Sequence, residues 1–84
     1  MYTDLEVNFM KEYYEILREL REDRDLTQSD IAVLLGTTQQ VYSRYEKGIN
    51  VMPVTHLPKI CTYLGVSADY LLGLPEGLPY PKSE

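Results

Sequence analysis

The segment LTQSDIAVLLGTTQQVYSRYEKG, residues 26–48, decides the fold because it carries the start and stop signals of two short helices. Thr27 and Asp30 have the spacing of a capping box, in which a side chain at each position satisfies a free backbone N–H of the first turn. Gly36 can adopt the left-handed conformation that ends a helix, and Thr38 is placed to cap the next one. We therefore predict two helices joined by a tight glycine turn.

The second of these helices has two distinct faces. Val41, Tyr42 and Tyr45 recur at spacings of three and four, so we expect them to face a core. Gly48 is expected to stop the helix near Glu46, which we interpret as a structural partner and not as a ligand contact. Polar side chains remain for the outer face: Gln39, Gln40, Ser43 and Arg44.

Apolar residues at helical spacing also run from Asp4 to Arg24 and predict a long first helix, with a break near Asn8 as the alternative. Its charged residues alternate in sign, which is typical of a solvated helix surface and not of a catalytic carboxylate pair. The residues assigned to that surface are Glu15, Arg18, Glu19, Arg21 and Glu22.

Two further helices are predicted after the central segment. The first has Thr55 as its N-cap and Pro58 in its first turn, where the missing N–H of proline is not needed. The second lies between Ser67 as its cap and Gly73 as its end. We find no convincing strand, so the predicted fold class is all-α, a five-helix domain over residues 1–73 with a Pro-rich tail at 74–84.

Composition excludes several classes of protein. The chain has 84 residues and is 44% hydrophobic, which suits one small globular domain, and it has no apolar run of the roughly 18 residues that a membrane span needs. Cys61 is the only cysteine, so an internal disulfide is excluded and a reduced, cytoplasmic setting is expected. His56 has no second ligand at metal-binding spacing. We expect no metal, no cofactor and no enzymatic activity.

The chain is acidic, with a net charge of −5. Proteins that bind nucleic acids are, in contrast, usually basic. The excess of acidic residues is concentrated before residue 27, where eight acidic and four basic residues occur, whereas residues 27–50 hold two of each. The central segment is therefore the least acidic part of the chain.

The polar face of the third helix is suited to reading DNA. The amides of Gln39 and Gln40 each offer a donor and an acceptor, which match the N6 and N7 edge of adenine, and Arg44 can donate two hydrogen bonds to guanine. Gln28 and Thr38 lie at helix N-termini, which favour a phosphate group.

Residues 26–48, together with ICTYLGVSADYLLG at residues 60–73, closely resemble the phage lambda repressor and Cro-like family of helix-turn-helix regulators, also called Xre-type. The resemblance covers about residues 13–73, with the helix-turn-helix at 27–46. It implies a lambda-repressor-like five-helix domain that binds a palindromic double-stranded DNA operator as a homodimer. The function it implies is transcription regulation.

The resemblance also assigns roles to residues. It places Tyr45 and Leu35 in the core. The implied base contacts are Gln39, Gln40 and Arg44, and the implied backbone or mixed contacts are Thr27, Gln28, Thr38, Ser43 and Lys47. The candidates for the dimer interface are Leu71, Leu72 and Leu74.

The chain departs from the family in the loop after the third helix. Many phage members have Lys or Arg there, whereas this chain has Ile49, Asn50, Val51 and Met52. The function we hypothesise is a sequence-specific repressor of a prophage, mobile-element or toxin-linked promoter. Because the loop lacks these cations, we expect its non-specific binding to DNA to be weak. The alternative is a protein-interaction module that uses the acidic first helix and this apolar loop to bind a protein partner.

Overall fold

The protein is described by a computed structural model over residues 11–75, and the regular elements in that range are all helical. A short 3₁₀ turn, Val54–His56, precedes the fourth α-helix. The prediction of an all-α, five-helix fold is confirmed. The helices are α1 Tyr13–Asp23, α2 Gln28–Leu35, α3 Gln39–Glu46, α4 Leu57–Leu64 and α5 Ala68–Leu72.

The first helix begins later than the apolar pattern predicts. Glu12 is extended (φ −72°, ψ 152°), and its backbone N–H donates to Oε1 of Glu15 at 3.0 Å, so the helix starts at Tyr13. The prediction of an uninterrupted helix from Asp4 to Arg24 is therefore wrong at Glu12, because this local hydrogen bond caps α1 there. The predicted start and the alternative break near Asn8 lie outside the described residues.

The two central helices form as predicted. The Thr27 hydroxyl accepts from the Asp30 N–H at 3.1 Å, and the Asp30 carboxylate accepts from the Thr27 N–H at 2.8 Å. Gly36 adopts φ 70° at the end of α2, and the Thr38 hydroxyl accepts from the Val41 N–H at 3.2 Å at the start of α3. The capping box thus fixes where α2 begins, and the glycine turn together with the Thr38 cap fixes the angle at which α3 leaves α2.

The start of α4 differs from the prediction. Thr55 lies within the 3₁₀ turn and does not cap the helix, and His56 occupies the N-cap position. The turn forms because the His56 N–H donates to the Pro53 carbonyl at 3.0 Å, which tightens the chain before α4 begins. Pro58 lies in the first turn of α4, as predicted.

The fifth helix has the predicted ends. The Ser67 hydroxyl accepts from the Tyr70 N–H at 3.1 Å, and Gly73 closes the helix with φ 72°. None of the helices in residues 11–75 is both long enough and apolar enough to cross a membrane.

The core lies where α1 meets α3 and α5, and where α2 meets α3 and α4. Tyr45 and Leu35 are buried in it, as expected, and Cys61 is also a core residue whose burial raises the pKa of its thiol. Leu71 is fully buried within the chain, so its side chain cannot reach a dimer partner. The other apolar core residues are Leu17, Leu20, Ile31, Ala32, Tyr42, Met52, Ile60 and Leu64.

The loop after α3 packs against α1. Met52 is buried, and its N–H donates to the Tyr13 hydroxyl at 3.1 Å, although the sequence places Met52 in an irregular loop. Gly48 has φ 73°, and a Cβ there would lie 2.6 Å from Cζ of Tyr14. The left-handed backbone conformation therefore favours glycine at position 48, and any Cβ there would also force the Tyr14 ring to move.

The fully buried side chain of Tyr42 provides a test of this core. Its hydroxyl lies near the Glu46 carboxylate and has no hydrogen-bond partner among the described residues. Because a buried polar group without a partner costs about 1–3 kcal/mol, we expect Tyr42→Phe to leave the free energy of unfolding unchanged or to raise it. Urea unfolding followed by circular dichroism measures this, and a loss of more than about 1 kcal/mol would show that the hydroxyl is paired.

Candidate nucleic-acid interface

Helix α3 presents a polar face to the solvent. Gln39, Gln40 and Arg44 are exposed, and Ser43 is half-buried. Gln40 and Arg44 are one helical turn apart, so they lie on the same side of the helix. The three residues predicted to contact bases are therefore accessible on the first two turns of a single helix.

The opposite face of α3 holds the helix in place. Tyr42 and Tyr45 are buried, and their rings meet edge to face with centroids 6.3 Å apart. Glu46, the last residue of the helix, is also buried, with 5% of its surface exposed. A charged residue at this depth requires a partner.

That partner is Arg21 of α1. Its Nε donates to Oε2 of Glu46 at 2.6 Å and its Nη2 donates to Oε1 at 3.0 Å, while its Nη1 donates to the Leu26 carbonyl at 2.8 Å. The structural role predicted for Glu46 is thus confirmed. Arg21, in contrast, was assigned to the solvated surface of α1, and only 11% of its side chain is exposed. The sequence does contain one signal for the burial of Arg21, because this residue lies four positions after Leu17 on the apolar stripe of the helix.

The ion pair determines the protonation state of Glu46. Burial by itself raises the pKa of the carboxyl, but the hydrogen bonds from Arg21, the nearby Tyr42 hydroxyl, the hydrogen bond from Gln28 and the positive charge of Arg21 more than offset this, so that the pKa lies below its ordinary value. The hydrogen bonds to Glu46 raise the pKa of Arg21, with burial opposing them. Both groups therefore remain charged at neutral pH.

Gln28, the first residue of α2, connects this ion pair to the exposed face of α3. Its Nε2 donates to Oε1 of Glu46 at 3.1 Å, and its Oε1 accepts from Nε2 of Gln39 at 2.6 Å. A continuous series of hydrogen bonds consequently runs from Arg21 on α1 to Gln39 on α3. The individual sequence signals do not reveal this pairing, because Gln28 and Gln39 are eleven residues apart.

The remaining residues predicted to contact the DNA backbone surround α3. Thr27 and Thr38 are exposed at the N-termini of α2 and α3, and their hydroxyl oxygens accept from the first turns of their own helices. Each hydroxyl hydrogen is still able to donate to a phosphate oxygen. Lys47 is exposed directly after α3.

The loop after α3 adds apolar surface and no positive charge. Ile49 is 66% exposed, Val51 is 85% exposed and Val54 is 72% exposed. Within residues 27–50, Arg44 and Lys47 are the two basic residues. In residues 11–75 there is no group of three or more His, Cys, Asp or Glu side chains arranged to hold a metal ion.

Comparison with known proteins agrees with this geometry. A family model described as Helix-turn-helix matches residues 17–71. The uncharacterized HTH-type transcriptional regulator YobD of Bacillus subtilis is 35% identical over 72 residues, which are 86% of this chain and 63% of the relative.

Two further relatives come from the same organism. The uncharacterized HTH-type transcriptional regulator YqaE is 38% identical over 60 residues, which are 71% of this chain and 52% of YqaE. The SPbeta prophage-derived uncharacterized HTH-type transcriptional regulator YonR is 38% identical over 58 residues, which are 69% of this chain and 54% of YonR. The chain therefore spans between about half and two thirds of the lengths of these relatives.

Breaking the buried ion pair should have a large, pH-dependent cost. Arg21→Met leaves the Glu46 charge buried, so we expect it to lower the free energy of unfolding at pH 7 by about 3–5 kcal/mol. In the native protein the pKa of Glu46 is depressed, so its contribution to stability is present above the unfolded pKa of about 4.3 and is lost as the pH falls through the folded pKa. In Arg21→Met the cost of burial dominates, so the charged carboxylate of Glu46 destabilises the folded protein instead.

The difference in stability between the native protein and Arg21→Met should therefore be largest at neutral pH and should narrow in acid. Denaturant unfolding at a series of pH values measures it. The double variant Arg21→Met with Glu46→Leu is the control, since replacing a buried ion pair with apolar side chains is close to neutral. A difference that does not change with pH would show that the loss comes from packing and not from the buried charge.

Proposed function

We propose that this protein binds a specific double-stranded DNA sequence with α3 in the major groove. The premise is that the chain belongs to the helix-turn-helix family of non-enzymatic, DNA-binding transcriptional regulators. The observation that carries this proposal is the exposed row of Gln39, Gln40 and Arg44 on a helix whose other face is buried. A helix-turn-helix reads DNA with side chains from the N-terminal part of its second helix.

The exposed side chains have the chemistry that base recognition needs. The amides of Gln39 and Gln40 can each accept from N6 and donate to N7 of adenine, and the guanidinium of Arg44 can donate to O6 and N7 of guanine. Each such two-bond contact discriminates against the wrong base by about 1–3 kcal/mol. The proposed assignment is therefore specific enough to test one base pair at a time.

Backbone contacts are proposed around these residues. The N-termini of α2 and α3 carry the partial positive charge of the helix dipole, and Thr27 and Thr38 are exposed there with hydroxyl groups that can donate to phosphate. The second N–H of the Gln28 amide is available for the same purpose, because the first is taken by Glu46. Ser43 and Lys47 are proposed to contact the edge of the groove.

We further propose that the protein binds a palindromic operator as a homodimer. Leu72 and Leu74, at the end of α5, are 40% and 45% exposed, so both offer apolar surface to a second copy. Leu71 is excluded because it is fully buried. Two copies on one face of B-DNA would place their reading helices about 34 Å apart.

The proposed regulatory role is repression of a promoter in a prophage, mobile element or toxin-linked operon. The name of YonR describes that relative as prophage-derived, which supports this genetic setting. A small dimer on an operator that overlaps a promoter represses by occupying it. The chain spans about half the length of YonR, so the proposal concerns the DNA-binding part of such a regulator.

The exposed loop after α3 favours a second candidate function, a protein-interaction module. Ile49, Val51 and Val54 expose large apolar side chains without a partner in the described part of the chain, and the chain is acidic overall. Exposed apolar surface of this kind marks protein contacts. Selection from a random duplex library separates the two candidates, because a module that binds only protein enriches no DNA site even at low salt.

The base contacts can be tested on the site that such a selection enriches. We expect a two-fold symmetric site, and we expect Gln39→Ala and Gln40→Ala each to cost about 1–3 kcal/mol of binding and to relax the preference at one base pair per half-site. The measurement is the dissociation constant for each single-base variant of the site. Thr62→Ala, on an exposed position of α4, is the control and should leave every preference unchanged. An unaltered preference in both glutamine variants would contradict the contact assignment.

The shortage of basic residues predicts a shallow dependence of affinity on salt. Each phosphate contact contributes about −0.9 to the slope of log K against log salt concentration, and we expect fewer than about six such contacts per dimer. Lys47→Gln should make the slope shallower while preserving the base preferences, since Lys47 is proposed to lie at the edge of the groove, where its charge acts on phosphate. Titrations between 50 and 200 mM salt, roughly the range over which such slopes are resolved, measure it. A slope that corresponds to six or more contacts would contradict this expectation.

A further inference from the structure

We propose that Arg21 and Glu46 are positioning residues for DNA specificity: the buried carboxylate fixes which way the amides of Gln28 and Gln39 point, and thereby selects adenine over guanine. This inference rests on the proposed base contact of Gln39. It concerns two residues that are too deeply buried to reach DNA themselves, since Glu46 is 5% exposed and the Arg21 side chain 11%.

The first step is the orientation of the Gln28 amide. An ionised carboxylate has no proton and can only accept hydrogen bonds. The side chain of Gln28 must therefore turn its NH₂ group toward Glu46, as the bond of 3.1 Å from Nε2 to Oε1 shows. Rotating the amide by half a turn would place two acceptor oxygens against each other.

The second step transmits this orientation to α3. With its NH₂ group facing Glu46, Gln28 presents its carbonyl oxygen to Gln39, whose Nε2 donates to it at 2.6 Å. One N–H of Gln39 is thereby occupied. The groups that Gln39 has left for DNA are its carbonyl oxygen and its second N–H.

The third step is the consequence for base choice. Adenine has an N6 donor and an N7 acceptor in the major groove, which match the free oxygen and the free N–H of Gln39. Guanine has the O6 acceptor in place of the N6 donor, so its O6 would face the Gln39 oxygen. A Gln39 amide that can rotate freely could instead turn its NH₂ group to O6 and tolerate guanine.

The ion pair is well suited to hold the carboxylate in place. Arg21 donates to both oxygens of Glu46, and a third bond from Arg21 to the Leu26 carbonyl fixes the guanidinium itself. A two-bond pairing of this type constrains orientation as well as distance. The pair of Lys11 and Glu19, which also involves α1, lies at the surface instead, with 54% and 46% of the two side chains exposed.

The experiment compares two charge-neutral pair removals. Arg21→Met with Glu46→Leu removes the buried pair, and Lys11→Gln with Glu19→Gln removes an exposed pair as a control that touches neither Arg21 nor Glu46. The operator is the site selected by the native protein, and Gln39→Ala identifies the base pair that Gln39 reads. For each protein we measure the ratio of dissociation constants between that operator and the operator with this A·T pair changed to G·C.

We expect the ratio to fall about tenfold in the buried-pair variant and to stay unchanged in the control. Gln28→Ala interrupts the series at an accessible residue, leaves the ion pair intact and should lower the ratio by a similar factor. A lost phosphate contact would weaken both operators equally and would not move the ratio. In the Gln28→Ala background, removing the buried pair should have no further effect on the ratio.

The outcomes are distinguishable. An unchanged ratio in Gln28→Ala, or in a buried-pair variant that circular dichroism shows to be folded, overturns the inference while leaving DNA reading by Gln39 intact. Selection of a base other than adenine opposite Gln39 also overturns it. Failure of the native protein to enrich any site contradicts the proposed function itself.

Discussion

The packing of the helix-turn-helix against α1 relies on the buried ion pair between Arg21 and Glu46. The pair fastens the end of α3 to α1, and through Gln28 it also reaches the start of α3. The exposed face of the helix is therefore held at both ends. Removing two charges from water is costly, and this pair offsets that cost by satisfying each carboxylate oxygen with directed hydrogen bonds. Its geometry links the stability of the core to the orientation of groups on the surface.

The distribution of charge favours specific recognition of bases over strong affinity for the DNA backbone. The net charge of −5 arises mostly before residue 27, and the loop that follows α3 offers apolar side chains where cations would strengthen binding to phosphate. Base recognition needs few groups in fixed positions, whereas affinity for the DNA backbone grows with the number of cations. The structure supplies the fixed groups and few cations. Under the proposed function, binding depends on the base contacts more than on general attraction to DNA.

Local signals predicted the helices well where the determining interaction lies within a few residues. The capping box of Thr27 and Asp30, the turn at Gly36 and the cap at Thr38 were each predicted, because every partner is three or four residues away. Predictions failed where the same residues can form more than one local hydrogen-bonding arrangement. Thr55 has the chemistry of a helix cap, yet the chain tightens into a 3₁₀ turn instead, and α1 begins at Tyr13 because Glu15 caps the extended Glu12.

Helical periodicity and caps are written in the sequence, so it alone predicts the five helices of residues 11–75, the helix-turn-helix that two of them form and the outward placement of Gln39, Gln40 and Arg44. Tertiary packing, in contrast, turns Arg21 inward to Glu46, returns Met52 to the core and brings Gln28 to Gln39. These contacts join residues eleven or more positions apart. Helical periodicity cannot predict such contacts, because they depend on the angles at which the packed helices cross.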